Sequence, residues 1–138
     1  MSEVLLATDA DWIHHEVAAA LDGEHTVARV NRGADVRTAV AGSEPDLVIL
    51  DLQIGNMGGM ATCMDLRLEA GAGRLPDVPV LMLLDRRADV FLARRSDADG
   101  WLVKPLDAFR LRRAVTAILE GGTVTEGVPD DAPAPLPT

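Results

Sequence analysis

The stretch DLVILDLQIGNMGGM, residues 46–60, carries four consecutive apolar residues, Leu47 to Leu50, and then a carboxylate, Asp51. A short apolar run without alternation is the pattern of a strand buried on both faces. Asp51 stands where that strand would emerge, so it either caps a turn or does chemistry. The GNMGG that follows opens a helical stretch, and its backbone N–H groups could face an anion.

Outward from there, strand-like and helix-like segments alternate. Val4 to Ala7 reads as a first strand, and Asp11 can cap a helix with Ile13, Val17, Ala20 and Leu21 on one face. Thr26 to Val30 reads as a second strand, and Asp35 to Ala41 as a short helix ended by Gly42. Beyond Asp51, Met60 to Ala70 is helical and Val78 to Leu84 is a fourth, fully apolar strand. A short helix over Ala88 to Arg95 leads to a fifth strand, Gly100 to Val103. A last helix from Asp107 carries Leu111, Ala114, Val115, Ile118 and Leu119 on one stripe.

Five such units predict an α/β fold, a doubly wound (βα)5 parallel sheet covered on both faces, with right-handed crossovers. Residues 1–120 are expected to form this domain. Residues 121–138, GGTVTEGVPDDAPAPLPT, are expected to be a disordered tail or a linker, because they hold four of the eight prolines, three acids and no base.

Bulk properties narrow the function. The apolar runs fall well short of the roughly 18 to 20 residues that span a membrane, and Glu3 interrupts any basic leader. The single cysteine, Cys63, cannot form an internal disulfide. A cytoplasmic protein without membrane contact is expected. A net charge of −9 argues against nucleic acid. Against that acidity, seven arginines (Arg86, Arg87, Arg94, Arg95, Arg110, Arg112 and Arg113) cluster between positions 86 and 113. They form either a partner surface or a solvated helix face paired with acids such as Asp97 and Asp107.

In a parallel sheet, ligand chemistry sits at the carboxyl ends of the strands. Those ends hold Thr8 and Asp9, then Asp51, then Leu84 and Asp85, then Lys104 before Pro105. Carboxylates and one ammonium on a single rim can hold a hard divalent cation and neutralise a phosphoryl group. Lys104 is the one lysine among 13 basic residues.

Asp9, VILDLQIGNMGG, PVLML and ADGWLVKP, in that order, resemble the receiver domain of two-component response regulators over residues 3 to 120. The resemblance implies strand order 2-1-3-4-5 and a phosphoacceptor role for Asp51, with a histidine kinase as donor. It implies a Mg²⁺ site from Asp9, Asp51 and the Gln53 backbone carbonyl, and phosphoryl contact by Lys104. Leu84 and Trp101 take the two switch positions. A protein partner, or a second copy, would meet the face of helix 4, strand 5 and helix 5, which carries Arg94, Arg95, Arg112 and Arg113.

Several positions depart from the family pattern. Thr8 replaces one of two acids and so weakens the metal site. Leu84 replaces a hydroxyl that senses the phosphoryl group. Asp85 adds like-charge repulsion of about 1 kcal/mol at about 4 Å in water. Gly55 replaces a proline, which is expected to loosen the loop, and Trp101 is bulkier than the usual aromatic. The expectation is therefore a stand-alone atypical receiver, without enzymatic activity, that signals by protein contacts with weak or absent phosphorylation and weak Mg²⁺ binding. The alternatives are a conventional receiver phosphorylated on Asp51, a haloacid-dehalogenase-like phosphatase using Asp9 and Asp11, and a small-molecule-binding module. Adjacent His14 and His15 point about 100° apart on their helix, so no metal pair is expected there.

Overall fold

The computed structural model describes residues 2–125. Its elements run β1 Ser2–Ala7, α1 Asp11–Leu21, β2 His25–Val30, α2 Val36–Ser43, β3 Leu47–Asp51, α3 Gly59–Gly71, β4 Val80–Leu84, α4 Val90–Arg95, β5 Gly100–Val103, α5 Ala108–Leu119 and β6 Val124–Thr125. Single 3₁₀ turns, Gly33–Asp35 and Arg87–Asp89, lead into α2 and α4. The strands form one parallel sheet in the order β2-β1-β3-β4-β5-β6. The expected 2-1-3-4-5 arrangement is present, extended by a sixth strand inside the segment expected to be tail. The rest of that segment, 126–138, lies outside the described residues.

The unbroken apolar strands are explained by a core on each face. Val48, Leu50, Met82 and Leu84 face α2, α3 and α4, where they cluster with Val36, Cys63 and Ala93 of those helices and with Trp101 of β5. Leu47, Ile49, Leu81 and Leu83 face the other way, onto Ile13, Val17, Leu111 and Val115 of α1 and α5. Every residue of β3 and β4 is buried, so no polar alternation could survive in either. The α5 stripe is buried at Leu111, Ala114, Val115 and Ile118, and Asp107 caps this helix by accepting from the Phe109 and Arg110 N–H groups.

Helix ends correct the sequence reading in two places. Asp11 lies inside the first turn of α1 rather than capping it, and its carboxylate is bound by Arg29 of β2 at 2.9 Å. The α2 helix passes through Gly42 and stops where Glu44 turns left-handed (φ 46°), its N–H donating to the Val40 carbonyl at 3.0 Å. Among the described residues no helix is long and apolar enough to cross a membrane.

Candidate functional site

The parallel register sets four strand ends at one level. Ala7 pairs with Leu50, Asp51 with Leu83, and Leu84 with Val103. The residues just beyond therefore share a rim: Thr8 after β1, Asp51 closing β3, Asp85 after β4 and Lys104 after β5. Backbone bonds fix two of the exits, Thr8 N–H to the Val30 carbonyl at 3.1 Å and Lys104 N–H to the Leu84 carbonyl at 2.8 Å. The Lys104–Pro105 peptide is cis.

Asp51 is buried (1% exposed) and hydrogen-bonded at both oxygens. Its Oδ1 accepts from Lys104 Nζ at 2.8 Å and from the Gln53 N–H at 3.1 Å. Its Oδ2 accepts from the hydroxyl of Thr8, itself fully buried, at 2.7 Å. The Thr8 oxygen in turn accepts from the Ala10 N–H at 3.1 Å. Lys104 is shared, because its ammonium also reaches Asp85 Oδ1 at 3.0 Å. The second oxygen of Asp85 is buried and has no hydrogen-bond partner. One ammonium therefore serves two carboxylates in a largely closed space.

Asp9 is drawn away from this cluster. Exposed at the rim, its Oδ2 accepts from the Gly55 N–H at 3.0 Å. That bond corrects the expectation of a loosened loop. The Gly33 N–H donates to the Gly55 carbonyl at 3.0 Å and the Ala34 N–H to the Asn56 carbonyl at 2.8 Å. Thr62 donates its hydroxyl to the Met57 carbonyl at 3.1 Å. Gly33 permits the approach, because a Cβ there would lie 1.7 Å from the Met57 oxygen. A proline at position 55 would lack the N–H that binds Asp9, so glycine here serves the pinned loop.

Receiver domains bind Mg²⁺ at the phosphorylation site. The donors expected for it are the carboxylates of Asp9 and Asp51 and the carbonyl of Gln53. Three of these carboxylate oxygens already accept hydrogen bonds within the protein, both of Asp51 and Oδ2 of Asp9. Among the described residues no three His, Cys, Asp or Glu side chains group as metal ligands. Asp11, the acid/base of the phosphatase alternative, is 82% exposed at its side chain and held by Arg29.

The two positions expected to act as switches are both in the core. Leu84 is fully buried and Trp101 is 4% exposed in the same apolar cluster. Outside it, the Arg94 guanidinium lies over the Trp101 ring at 5.7 Å, and Arg113 over Phe109 at 5.6 Å. Arg95 is exposed and Arg112 half-buried. Two members of the arginine cluster have local tasks instead. Arg86 binds Asp89 at 3.1 Å, and Arg110 donates to the carbonyls of Val103 and Pro105. Sequence reasoning missed the Thr8 donor and the Gly33 contact. Thr8 offered a signal, a hydroxyl at the rim beside an acid; a lone glycine offered none.

Comparison with known proteins agrees with this geometry. The response regulator receiver domain matches residues 4–116. The DNA-binding response regulator MtrA of Mycolicibacterium paratuberculosis is 32% identical over 136 residues, covering 96% of this chain and 55% of that relative. The chain thus spans about half the length of MtrA. Protein PilH of Pseudomonas aeruginosa is 25% identical over 122 residues, covering 88% of this chain and 100% of PilH. Among solved structures, chemotaxis response regulator CheY4 of Vibrio cholerae superposes with a TM-score of 0.73 at 24% identity, covering 84% and 97% of the two chains. The signal receiver domain of a signal transduction histidine kinase from Syntrophus aciditrophicus gives 0.77 at 23% identity, covering 97% and 99%. Those two likenesses show the fold. Together with the family match, the order of the strand-end residues Asp9, Asp51 and Lys104 places this chain in the response regulator receiver domain family.

Proposed function

We propose that this chain is an atypical receiver, a cytoplasmic signalling module that acts through protein contacts and not as an enzyme. Phosphorylation of Asp51 by a histidine kinase, and Mg²⁺ binding, are weak or absent. One observation carries this: both Asp51 oxygens are hydrogen-bonded inside the protein, one of them by the buried hydroxyl of Thr8. A hydrogen bond that stabilises the carboxylate's charge makes it a weaker nucleophile, and a metal site of two carboxylates is short of charge. Leu84 offers no hydroxyl for a phosphoryl oxygen, and Asp85 occupies Lys104. The contact surface is the α4–β5–α5 face bearing Arg94, Arg95, Arg112 and Arg113.

The test is to titrate acetyl phosphate or beryllofluoride with Mg²⁺, following mass and tryptophan emission. Trp12 is 51% exposed, so a Trp12→Phe background isolates the buried Trp101. No saturable change is expected. A saturable response abolished by Asp51→Asn would overturn the proposal in favour of a conventional phosphoacceptor. For the surface, charge reversal at the four arginines is expected to weaken partner or self-association by about tenfold or more; unchanged association would rule that face out.

A further inference from the structure

The fold continues past α5. Gly121, at φ 89°, donates its N–H to the Ile118 carbonyl at 3.0 Å, and Gly122 donates to Ala117 at 2.8 Å. The chain then returns along β5, in parallel register Gly100↔Val124 and Trp101↔Thr125. Gly100 is shaped for this contact, because a Cβ there would come within 3.0 Å of the Val124 backbone nitrogen and oxygen. The Val124 side chain packs against the α1–α5 core. Farther along the same strand, Arg110 donates to the carbonyls of Val103 and Pro105, both at 3.1 Å. A cleft of about 330 Å³ between α5 and the returning chain is lined by Leu102, Ala114, Ala117 and Thr123.

An uncovered strand edge is a template for another chain's strand. Here the cover is slight. Among the described residues it is two residues long, and the Val124 N–H reaches the Asp99 carbonyl at 3.4 Å, beyond the usual hydrogen-bond range. The surface flanking this edge carries both signs of charge: Arg94, Arg95 and Arg113 with Asp97, Asp107 and Glu120, all exposed. A surface holding both signs is complementary in kind to itself, so a second copy suits it better than a partner of single sign.

We propose that the Gly121–Thr125 return is a latch: it pairs with β5 in cis, and its release lets that edge pair with the β5 edge of a second copy. This rests on the β5 edge of the α4–β5–α5 face lying in the contact surface, whether or not its arginines take part. The full-length chain with Gly100→Ala or Val124→Pro loosens the latch from either side. Amide hydrogen exchange at Trp101 and Leu102, with sedimentation velocity over a concentration series, reads the result. Faster exchange and an association constant raised about tenfold or more are expected in both variants, with helical circular dichroism retained. Faster exchange without added association would overturn the latch, as would exchange left at the wild-type rate. Adding Arg94→Glu and Arg95→Glu to Val124→Pro separates the two ideas. A dimer that dissolves supports both; one that persists keeps the latch and rules out the arginine face.

Discussion

Replacing Thr8 with aspartate tests the closed state of the acceptor. Thr8 is fully buried and donates its hydroxyl to Asp51 Oδ2 at 2.7 Å. Aspartate is close to threonine in size, so packing changes little and charge changes most. The donor is lost, and two carboxylates come to stand at hydrogen-bond distance, where both cannot ionise without a cation between them. Loss of a hydrogen bond to a charged acceptor costs about 1.5–3 kcal/mol. In a domain of this size 1 kcal/mol moves Tm by roughly 4 °C, so the variant is expected to melt about 6–12 °C lower without divalent cation. Three formal negative charges in place of two make a better Mg²⁺ site. A cation at about 100 times its Kd returns about 2.7 kcal/mol. Saturating Mg²⁺ is therefore expected to restore most of the lost Tm in the variant and to move the wild type little. Thermal melting in MgCl₂, against NaCl of matched ionic strength, makes the measurement. The reasoning fails if Mg²⁺ raises the wild-type Tm as far as the variant's, or if the variant melts like wild type without it.

Three further outcomes are expected. Gly33→Ala would place a Cβ 1.7 Å from the Met57 carbonyl and disturb the loop after Asp51; a loss of about 2 kcal/mol or more in urea unfolding is expected, and a loss below about 0.5 kcal/mol would show that the loop is not pinned. Hydrogen bonds from Arg74 and Arg32 hold the Glu69 and Asp35 carboxyls below their ordinary values of 4.5 and 3.8. Depressed carboxyls stabilise above the unfolded pKa and lose that stability as pH falls through the folded one; unfolding stability should thus decline below about pH 4.5, less steeply in Arg74→Ala, and an identical slope in that variant would refute the assignment. Lys104→Met leaves Asp51 buried without its cation and should cost about 3–5 kcal/mol. Asp51→Asn removes the buried charge, keeps one acceptor oxygen for Lys104 and leaves Lys104 its bond to Asp85; it should cost clearly less, an order that paired chemical denaturation checks.

The fold was legible where the sequence pattern is set by burial alone. Leu47 to Leu50 is apolar at every position because both faces of β3 are covered, and the strand falls where that run predicts. The α5 stripe and its Asp107 cap are equally local, each readable within one or two helical turns. What escaped depends on distant partners. The direction of the Thr8 hydroxyl is decided by a carboxylate 43 residues away. Gly33 is required by a carbonyl on another loop, and β6 is too short to show any period and exists through the space left at Gly100. Glu44 ends α2 in a conformation for which Gly42 was the better candidate, because the Val40 carbonyl accepts its N–H two residues later.

The same distinction between local and distant demands bears on what Asp51 and Lys104 mean. Both are strand-end residues whose identities fit a phosphoacceptor site, yet they also form a buried ion pair, with side chains 2% and 10% exposed. Removing one member of such a pair costs about 3–5 kcal/mol, a large part of the about 5–15 kcal/mol that holds a domain together. A receiver that no longer accepts phosphate would therefore still keep Lys104, whose loss strands the buried Asp51 carboxylate, and Asp51 remains as that lysine's most buried partner. Their presence is weak testimony about phosphorylation. Positions 8, 84 and 85 are more telling, because a β1–β3–β4–β5 rim could hold acid, hydroxyl or small residues there without such a penalty. At those positions this chain has a donor locked onto the acceptor, an alkyl group, and a second carboxylate on the lysine. These three positions, and not Asp51 or Lys104, are what the proposal of an atypical receiver rests on.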